Sequence, residues 1–431
     1  MAQTSVPSSS SLTVKEFSVA MFAGTQRANT LLKNMTGPAP KQAAAEAKLK
    51  GQTSPDMPVV RVTDLSKTQG DAISMDLFNI IGGKPLIGDV NAEGKGEKLT
   101  WSSMDAKIDL TTKVVDAGGK MAQQRTKHSL RGVAMATLMG YFPRLEVQQA
   151  LVHLAGARGA QAGIDWVVPK ATDSDFASIM VNTVRAPTYN RHYVVNGANL
   201  TQGGLQTASL GSGDTLKLSH IDQLREILDD LEFGLQQIKI PDDPAAEDEP
   251  MWMLLVGPRA FADLIQDTTA NGNIRSFQQN AFNRASHGSK HPLFRGEVGM
   301  WNGILVRKMP RSIRFVGASV AGFEAGDNAY NYVAVANRYA GTETGATVNT
   351  SRVVERCLLL GAQALANVYG RNAATDYYTT FKERTYNWDR NYEAMGECMN
   401  GKTKVRFNVA DGAGNNEPTD LGVMALDVTV G

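Results

Sequence analysis

Ile73-Ser74-Met75-Asp76-Leu77 and, further along, Ile108-Asp109-Leu110-Thr111-Thr112-Lys113-Val114 alternate apolar with polar residues. A period of two marks a strand with one covered face. Residues 71–116 therefore read as one long hairpin, going out from Ile73 through Ile80 and Ile81 and returning from Ile108 to Val114. Its tip holds Gly82, Gly83, Gly88, Gly94 and Gly96, with Lys84, Asp89, Glu93, Lys95 and Lys98 among them. Glycine at that density keeps the tip pliable. A two-stranded ribbon is marginal in water by itself, so something outside it should cover it.

Directly after the ribbon comes the strongest helical period of the chain. Leu130, Ala134, Leu138, Tyr141, Leu145, Val152 and Ala155 fall on one face. Pro143 interrupts the period, so either the helix kinks there or a second helix starts with Pro in its first turn. Upstream, residues 1–70 read as a polar arm, with a short amphipathic helix over Val14–Leu32 that puts Phe17, Met21 and Phe22 on one face. Such an arm needs something to hold it down, such as another subunit. Its deletion up to residue 55 is expected to leave the stability of the separate subunit almost unchanged.

Downstream, residues 160–350 read as a mixed α/β region. Ser219–Ile238 has a helical pattern, Met251–Val256 is an apolar strand, and Arg259–Asp267 is a helix, which together suggest a covered sheet. Asp242, Asp243, Glu247, Asp248 and Glu249 form an acidic loop between Pro241 and Pro250. Val353–Tyr369 reads as a helix and Tyr377–Trp388 as a strand. Asn400-Gly401 signals a type I′ hairpin turn. The strand after it would place Thr403, Val405, Phe407 and Val409 on a core face shared with the long helix. Its basic face, Lys402, Lys404 and Arg406, would look away from that helix, so Lys404→Ala should cost almost nothing. Asp411–Gly431 is a Gly/Asn-rich tail that turns apolar from Leu421.

The 431 residues carry 44 Lys+Arg against 43 Asp+Glu, a formal charge of +1. That balance gives no general pull toward nucleic acid or a membrane. The two cysteines, Cys357 and Cys398, cannot build a disulfide framework or a four-Cys zinc site, and they suit a reducing cytoplasm. No leader and no stretch of about 20 apolar residues is visible, so the reading is a soluble protein.

The search for chemistry finds little. His287 and His291 stand four apart, but Gly288 and Pro292 argue for a loop and no metalloprotease Glu lies between them. The acidic loop lacks EF-hand spacing. Gly211-Ser212-Gly213 is not a nucleophile elbow, and no phosphate-binding glycine loop exists. Cys357, among Leu358, Leu359 and Leu360, reads as core. Arg307, Lys308, Arg311 and Arg314 would either touch phosphate or pair with the acidic loop of a neighbouring subunit. No catalytic residue, cofactor or metal is expected.

The order of elements is an arm, a ribbon, a dominant helix, an α/β insertion and a closing segment. It resembles the α+β shell-protein fold of tailed phages, the HK-ninety-seven fold. In sequence, Gly118-Gly119-Lys120-Met121-Ala122-Gln123-Gln124-Arg125-Thr126 resembles the major capsid proteins of the N-four-like podophages. So do Gly70-Asp71, Gly88-Asp89, Glu93-Gly94, Pro292-Leu293-Phe294-Arg295-Gly296 before Trp301-Asn302-Gly303, and Leu358-Leu359-Leu360-Gly361-Ala362-Gln363-Ala364. Their order over residues 60–410 carries the resemblance.

The resemblance implies an arm (1–70), an E-loop hairpin (71–116), a P domain with its spine helix (117–160), an inserted A domain (161–350), a P-domain return (351–410) and a tail (411–431). It implies a coat subunit that closes as hexamers and pentamers into an icosahedral head shell around double-stranded DNA. Assembly would take place in the host bacterial cytoplasm, with a separate scaffolding protein, a portal and decoration or cement proteins, and without a membrane. DNA contact would be weak and non-specific. The tip residues Gly82, Gly83, Lys84, Gly88, Asp89, Glu93, Gly94 and Lys95 would meet a neighbour, as would Phe17, Met21 and Phe22 of the arm. The rival readings are an encapsulin-like compartment of the same fold and a cytosolic α/β enzyme with an unrecognised pocket.

Overall fold

The computed structural model describes residues 31–37, 53–63, 70–78, 85–88, 91–96, 99, 101–161, 165–203, 210–231, 233–239, 251–266, 297–317, 320, 329–335, 338–339, 343–347, 352–370, 378–410 and 416–430. The helical period after the ribbon forms one unbroken helix, Leu130–Ala155, that runs through Pro143. Pro143 has no N–H to donate to the Met139 carbonyl one turn earlier, and the helix is partly open there, with Met139 55% exposed. Ser129 caps the start, its hydroxyl accepting from the Gly132 N–H at 3.2 Å. Gly156 ends the helix in the left-handed region at φ 71°, where a Cβ would lie 2.4 Å from the Arg185 carbonyl.

The second half of this helix lies on an eight-stranded mixed sheet. Its strand order is Asn199–Gln202, His192–Asn196, Val423–Val430, Val353–Leu360, Trp252–Val256, Ile304–Lys308 and Glu297–Trp301, and Ile313–Val316 also pairs with Val353–Leu360. Side chains alternate across it. Val354, Leu358, Leu360, Met253 and Leu255 join Val147, Leu151 and Leu154 of the long helix in one core. Cys357, Leu359, Leu254, Leu426 and Val428 face the other way, onto helices Leu218–Asp230 and Pro258–Gln266. Each fully buried Leu or Val contributes about 1.5–3 kcal/mol.

A five-stranded sheet carries the other half of the helix. It orders Val59–Val62, Leu365–Tyr369, Asn391–Lys404 and Tyr378–Tyr386, with Asp109–Gly119 also on Asn391–Lys404. Leu138 and Phe142 of the helix pack against Ala394 and Cys398.

Several expectations are corrected. Val353–Tyr369 is two strands rather than a helix, one in each sheet, joined at Gly361–Ala364. Its apolar run looks helical because the large sheet is covered on both faces, which erases strand alternation. Cys357 is core as expected, but on a strand. The ribbon's return strand is Trp101–Lys107, pairing Ala72↔Lys107 through Phe78↔Trp101. The alternating Ile108–Val114 segment belongs mostly to a separate strand, Asp109–Gly119, that pairs with Asn391–Lys404. Asn400-Gly401 makes no turn, since the strand continues through it with Gly401 opposite Val368.

The basic face is turned inward. Lys402 donates to Gln149 Oε1 on the long helix at 3.1 Å, and Lys404 pairs with Asp420 at 2.8 Å. Burial lowers both ammonium pKa values, that of Lys404 to about 8. Lys404→Ala would therefore strip a buried carboxylate of a partner. Val405 and Phe407 are buried, but with Ala366 and Leu421 rather than the long helix.

Parts of the arm and the tail are core. Helix Leu31–Met35 buries Leu31 and Met35 in the main cluster, and Val59–Val62 pairs in parallel with Leu365–Val368. Removing residues up to 55 would thus cut into the subunit's own core. The tail supplies Val423–Val430, an interior strand of the large sheet buried along its whole length. The large sheet thus takes strands from both sides of residue 350.

Candidate assembly surfaces

The ribbon is covered at its root and bare toward its tip. At the root, Ile73, Met75 and Ile108 pack on Val60, Val62 and Val368, while Leu77 and Met104 pack toward Phe407. Further out, Phe78 and its cross-strand partner Trp101 are 64% and 63% exposed, and Leu86, Ile87 and Leu99 are also exposed. Large apolar side chains gathered on one projection mark a protein-binding surface. Among the predicted tip residues, Gly88 and Gly94 hold φ 76° and 75°, Glu93 N–H donates to Asn91 Oδ1 at 3.0 Å, and Lys95 N–H donates to the Ala92 carbonyl. Gly82, Gly83, Lys84 and Asp89 lie outside the described residues, as do Phe17, Met21 and Phe22 and the acidic loop Asp242–Glu249.

Where the ribbon leaves the body, its last residue crosses strand Asn391–Lys404. The Asn182 side chain clamps the crossing: its Oδ1 accepts from the Lys107 N–H at 2.8 Å, and its Nδ2 donates to the carbonyls of Lys107 and Lys402 at 2.9 and 3.1 Å. Val181 places Asn182 through a γ-turn, with φ 64° and ψ −61° and Asn182 N–H donating to the Met180 carbonyl at 2.7 Å. That turn is rare and strained, all the more for a β-branched residue. A polar cleft of about 540 Å³ adjoins the crossing, with Asp105, Lys107, Asn182, Arg185 and Arg406 on its walls. Its mixed charges differ from the mostly apolar walls of a small-molecule site.

A second cluster fixes the long helix to the large sheet. Arg356 and Asp427 stand opposite each other on adjacent strands, and both are fully buried. The guanidinium grips the carboxylate with two bonds, at 2.7 and 2.8 Å, and donates a third to the Ala155 carbonyl at the helix C-terminus, at 2.8 Å. A cation there also suits the helix dipole. His192 Nε2 lies 2.5 Å from the same carboxylate. Arg356 and His192 hold the Asp427 pKa down at about 2 against the cost of burial.

His153, on the same helix, is buried and bonded to the Met180 carbonyl at 3.2 Å. Burial, with Lys402 and Lys404 nearby, lowers its pKa from 6.5 to about 3. The unfolded chain therefore takes up a proton below pH 6.5 that the folded chain refuses, so stability falls as pH drops from 6.5 toward 3. Unassembled subunit should lose about 2 kcal/mol between pH 7 and pH 5 from this group, and His153→Gln should flatten that slope. Urea denaturation at the two pH values checks it; equal slopes in both proteins would reject the assignment.

The cationic run does not form a single open patch. Arg314 makes a buried pair with Glu355 at 2.7 Å, which corrects its expected role toward a neighbour. Arg307 is 8% exposed, and Lys308 sits over the Phe261 ring. Arg311 Nε donates to the Asp165 carbonyl at 3.2 Å. Sequence reasoning missed Phe78, Leu86, Ile87, Leu99, Trp101 and Asn182. The Phe78–Trp101 pair was within reach once the return strand was placed at Trp101 rather than Ile108. No helix among the described residues is long and apolar enough to cross a membrane.

A ribbon rooted in a rigid clamp, a bare apolar projection and a helix tying two sheets together define a subunit built to engage other protein surfaces. A family model described as "Phage capsid protein" matches residues 5–431. The chain belongs to that family and is a major capsid shell protein. Among solved structures it is similar to the capsid of Ralstonia phage GP4, at 20% identity and TM-score 0.70, covering 100% of this chain and 99% of that one. It is also similar to the capsid asymmetric unit of cyanophage Pam1, at 17% identity and TM-score 0.57, covering 97% and 99%. The acidic stable capsid of Helicobacter pylori bacteriophage KHP30 aligns at 13% identity and TM-score 0.53, covering 96% of each chain. These likenesses show the HK-ninety-seven-like fold. No curated protein sequence matches the chain.

Proposed function

We propose that this chain forms the closed icosahedral head shell of a tailed phage of the N-four-like podophage branch, as hexamers and pentamers around double-stranded DNA. The observation that carries the reading is the ribbon, the E-loop of this fold. Its root is packed on its own subunit, while Phe78, Leu86, Ile87, Leu99 and Trp101 are left bare. Burying such side chains against a neighbour would drive association, and many weak contacts add up in a closed cage. Phe17, Met21 and Phe22 of the arm would make a second contact. The acidic loop would meet Lys308 and Arg311 of another copy. The near-neutral charge suits a wall that does not trap DNA through counterion release. Assembly would occur in the host cytoplasm, with a separate scaffolding protein, a portal and decoration proteins as partners.

Replacing residues 82–98 by a short Gly-Ser turn tests this. Circular dichroism should show a folded subunit, and electron microscopy should show no closed shells. Wild-type-like shells from the variant would remove the ribbon tip from assembly. Shells of the unaltered protein filled with a cargo protein instead of DNA would favour the compartment reading.

A further inference from the structure

We infer that Trp388 is a docking residue that seats against a second copy of this chain, an inference that rests on the coat-protein reading. Trp388 is 94% exposed, more than any other large apolar residue among those described. It stands at the apex of the hairpin between Tyr378–Tyr386 and Asn391–Lys404. Asn387, Trp388 and Asp389 all have left-handed backbone, at φ 54°, 56° and 60°. Asn and Asp tolerate that region, but a bulky aromatic residue there is an outlier. The apex is nevertheless well held. The Arg390 N–H donates to the Asn387 carbonyl at 3.2 Å, the Arg390 carbonyl accepts from the Lys120 N–H at 3.0 Å, and the Thr385 hydroxyl meets Asp389. Positive φ at the apex helps to close the hairpin, but nothing in the turn calls for a bulky aromatic side chain held in water at its centre, and strain retained in this way gathers at functional sites.

The occupant follows from place and charge. Strand Asn391–Lys404 pairs Asn391 with Gly119 at the apex end and Asn400 with Asp109 at the ribbon end. The two ends are thus separated by about 30 Å of strand. The molecule projects apolar side chains from both, with Met121, 63% exposed, just beyond the apex strand end. The hairpin's charges are of both signs and partly paired internally, Arg384 with Glu393 at 2.8 Å and Arg131 with Glu383. Such a rim suits a protein surface around an aromatic anchor and offers no basic track for a polyphosphate. In a shell whose wall is built of copies of one chain, the protein surface within reach of every such hairpin is another copy.

Hydroxyl-radical footprinting of Trp388 tests the inference on unassembled subunits, empty shells and DNA-filled shells of the full chain. Oxidation of Trp388 should be at least about tenfold slower in both kinds of shell than in free subunit. Trp388→Ala should fold normally by circular dichroism and reduce shell yield about tenfold, as expected for an aromatic anchor. Equal oxidation in shells and free subunit would overturn the inference while leaving the coat-protein reading intact. Protection already present in free subunit would assign the residue to the chain's own arm, and protection only in filled shells would assign it to DNA; both overturn it. If the unaltered protein formed no shells even when expressed with its scaffolding protein, the proposed head-shell assembly would fail together with the inference.

Discussion

Arg356→Ala is expected to destabilise the unassembled subunit by about 3–5 kcal/mol, the usual cost of stripping one partner from a buried ion pair. The substitution leaves the Asp427 carboxylate fully buried, with His192 as its remaining side-chain partner. It also removes the donor at the Ala155 carbonyl, a hydrogen bond that ties the end of the long helix to the large sheet. Stability of about 5–15 kcal/mol is typical of a folded domain, so the loss is a large share. Low pH should narrow the difference: as Asp427 protonates in the variant, the charge that lost its guanidinium partner disappears. Urea denaturation of wild type and variant at pH 7 is the measurement. A loss under 1 kcal/mol would mean that water or another side chain reaches Asp427. Replacing Arg356 by Met and Asp427 by Leu together should cost less than Arg356→Ala alone, because apolar packing often substitutes for a buried pair.

The second large effect is expected at Gly401. A Cβ there would lie 1.8 Å from the Lys107 carbonyl oxygen and 3.2 Å from Asn182 Nδ2. The obstacle is backbone, so no side-chain rotation relieves it. Either the ribbon root or strand Asn391–Lys404 must shift, and both are held by Asn182. Gly401→Ala should cost about 3 kcal/mol, the upper range for overpacking. It should also free the Lys107 amide for hydrogen exchange. Asn182→Ala should expose the same amide with less loss of stability, since it deletes hydrogen bonds without a clash. Because the ribbon leaves the body at this crossing, both variants should misdirect its tip and lower shell yield. Normal shells from Gly401→Ala, seen by electron microscopy, would show that the crossing does not set the ribbon's direction.

The acid sensitivity assigned to His153 and the inward turn of Lys402 and Lys404 share one cause. The strand expected to turn its basic face away from the long helix turns that face inward instead, with Lys402 reaching Gln149 of the helix and Lys404 reaching Asp420. Nothing local to Lys402-Thr403-Lys404 says so: an alternating basic face has the same pattern on a solvated strand and on one whose ammonium groups reach Gln149 and Asp420.

The sequence by itself determined the elements whose signals are local. The period of Leu130, Ala134, Leu138 and Leu145 dictates the long helix, Ser129 and Gly156 set its ends, and the alternation from Ile73 to Leu77 dictates the outgoing ribbon strand. Order along the chain was enough for the fold class and for the expectation of a coat protein. Tertiary structure alone decided which side of each strand is covered and which segments meet. Val353–Leu360 is a strand because partners far along the chain, Val423–Val430 and Trp252–Val256, bond to its two edges. Both of its faces are also buried, so no alternation was left to read. Asn400-Gly401 stayed extended because neighbouring strands satisfy its backbone on either side. The clamp at Asn182 and the pair Arg356–Asp427 join residues 75, 220 and 71 positions apart in the chain. Hydrogen bonds of such reach leave no periodic trace, because their partners are chosen by the packed fold and not by neighbours in sequence.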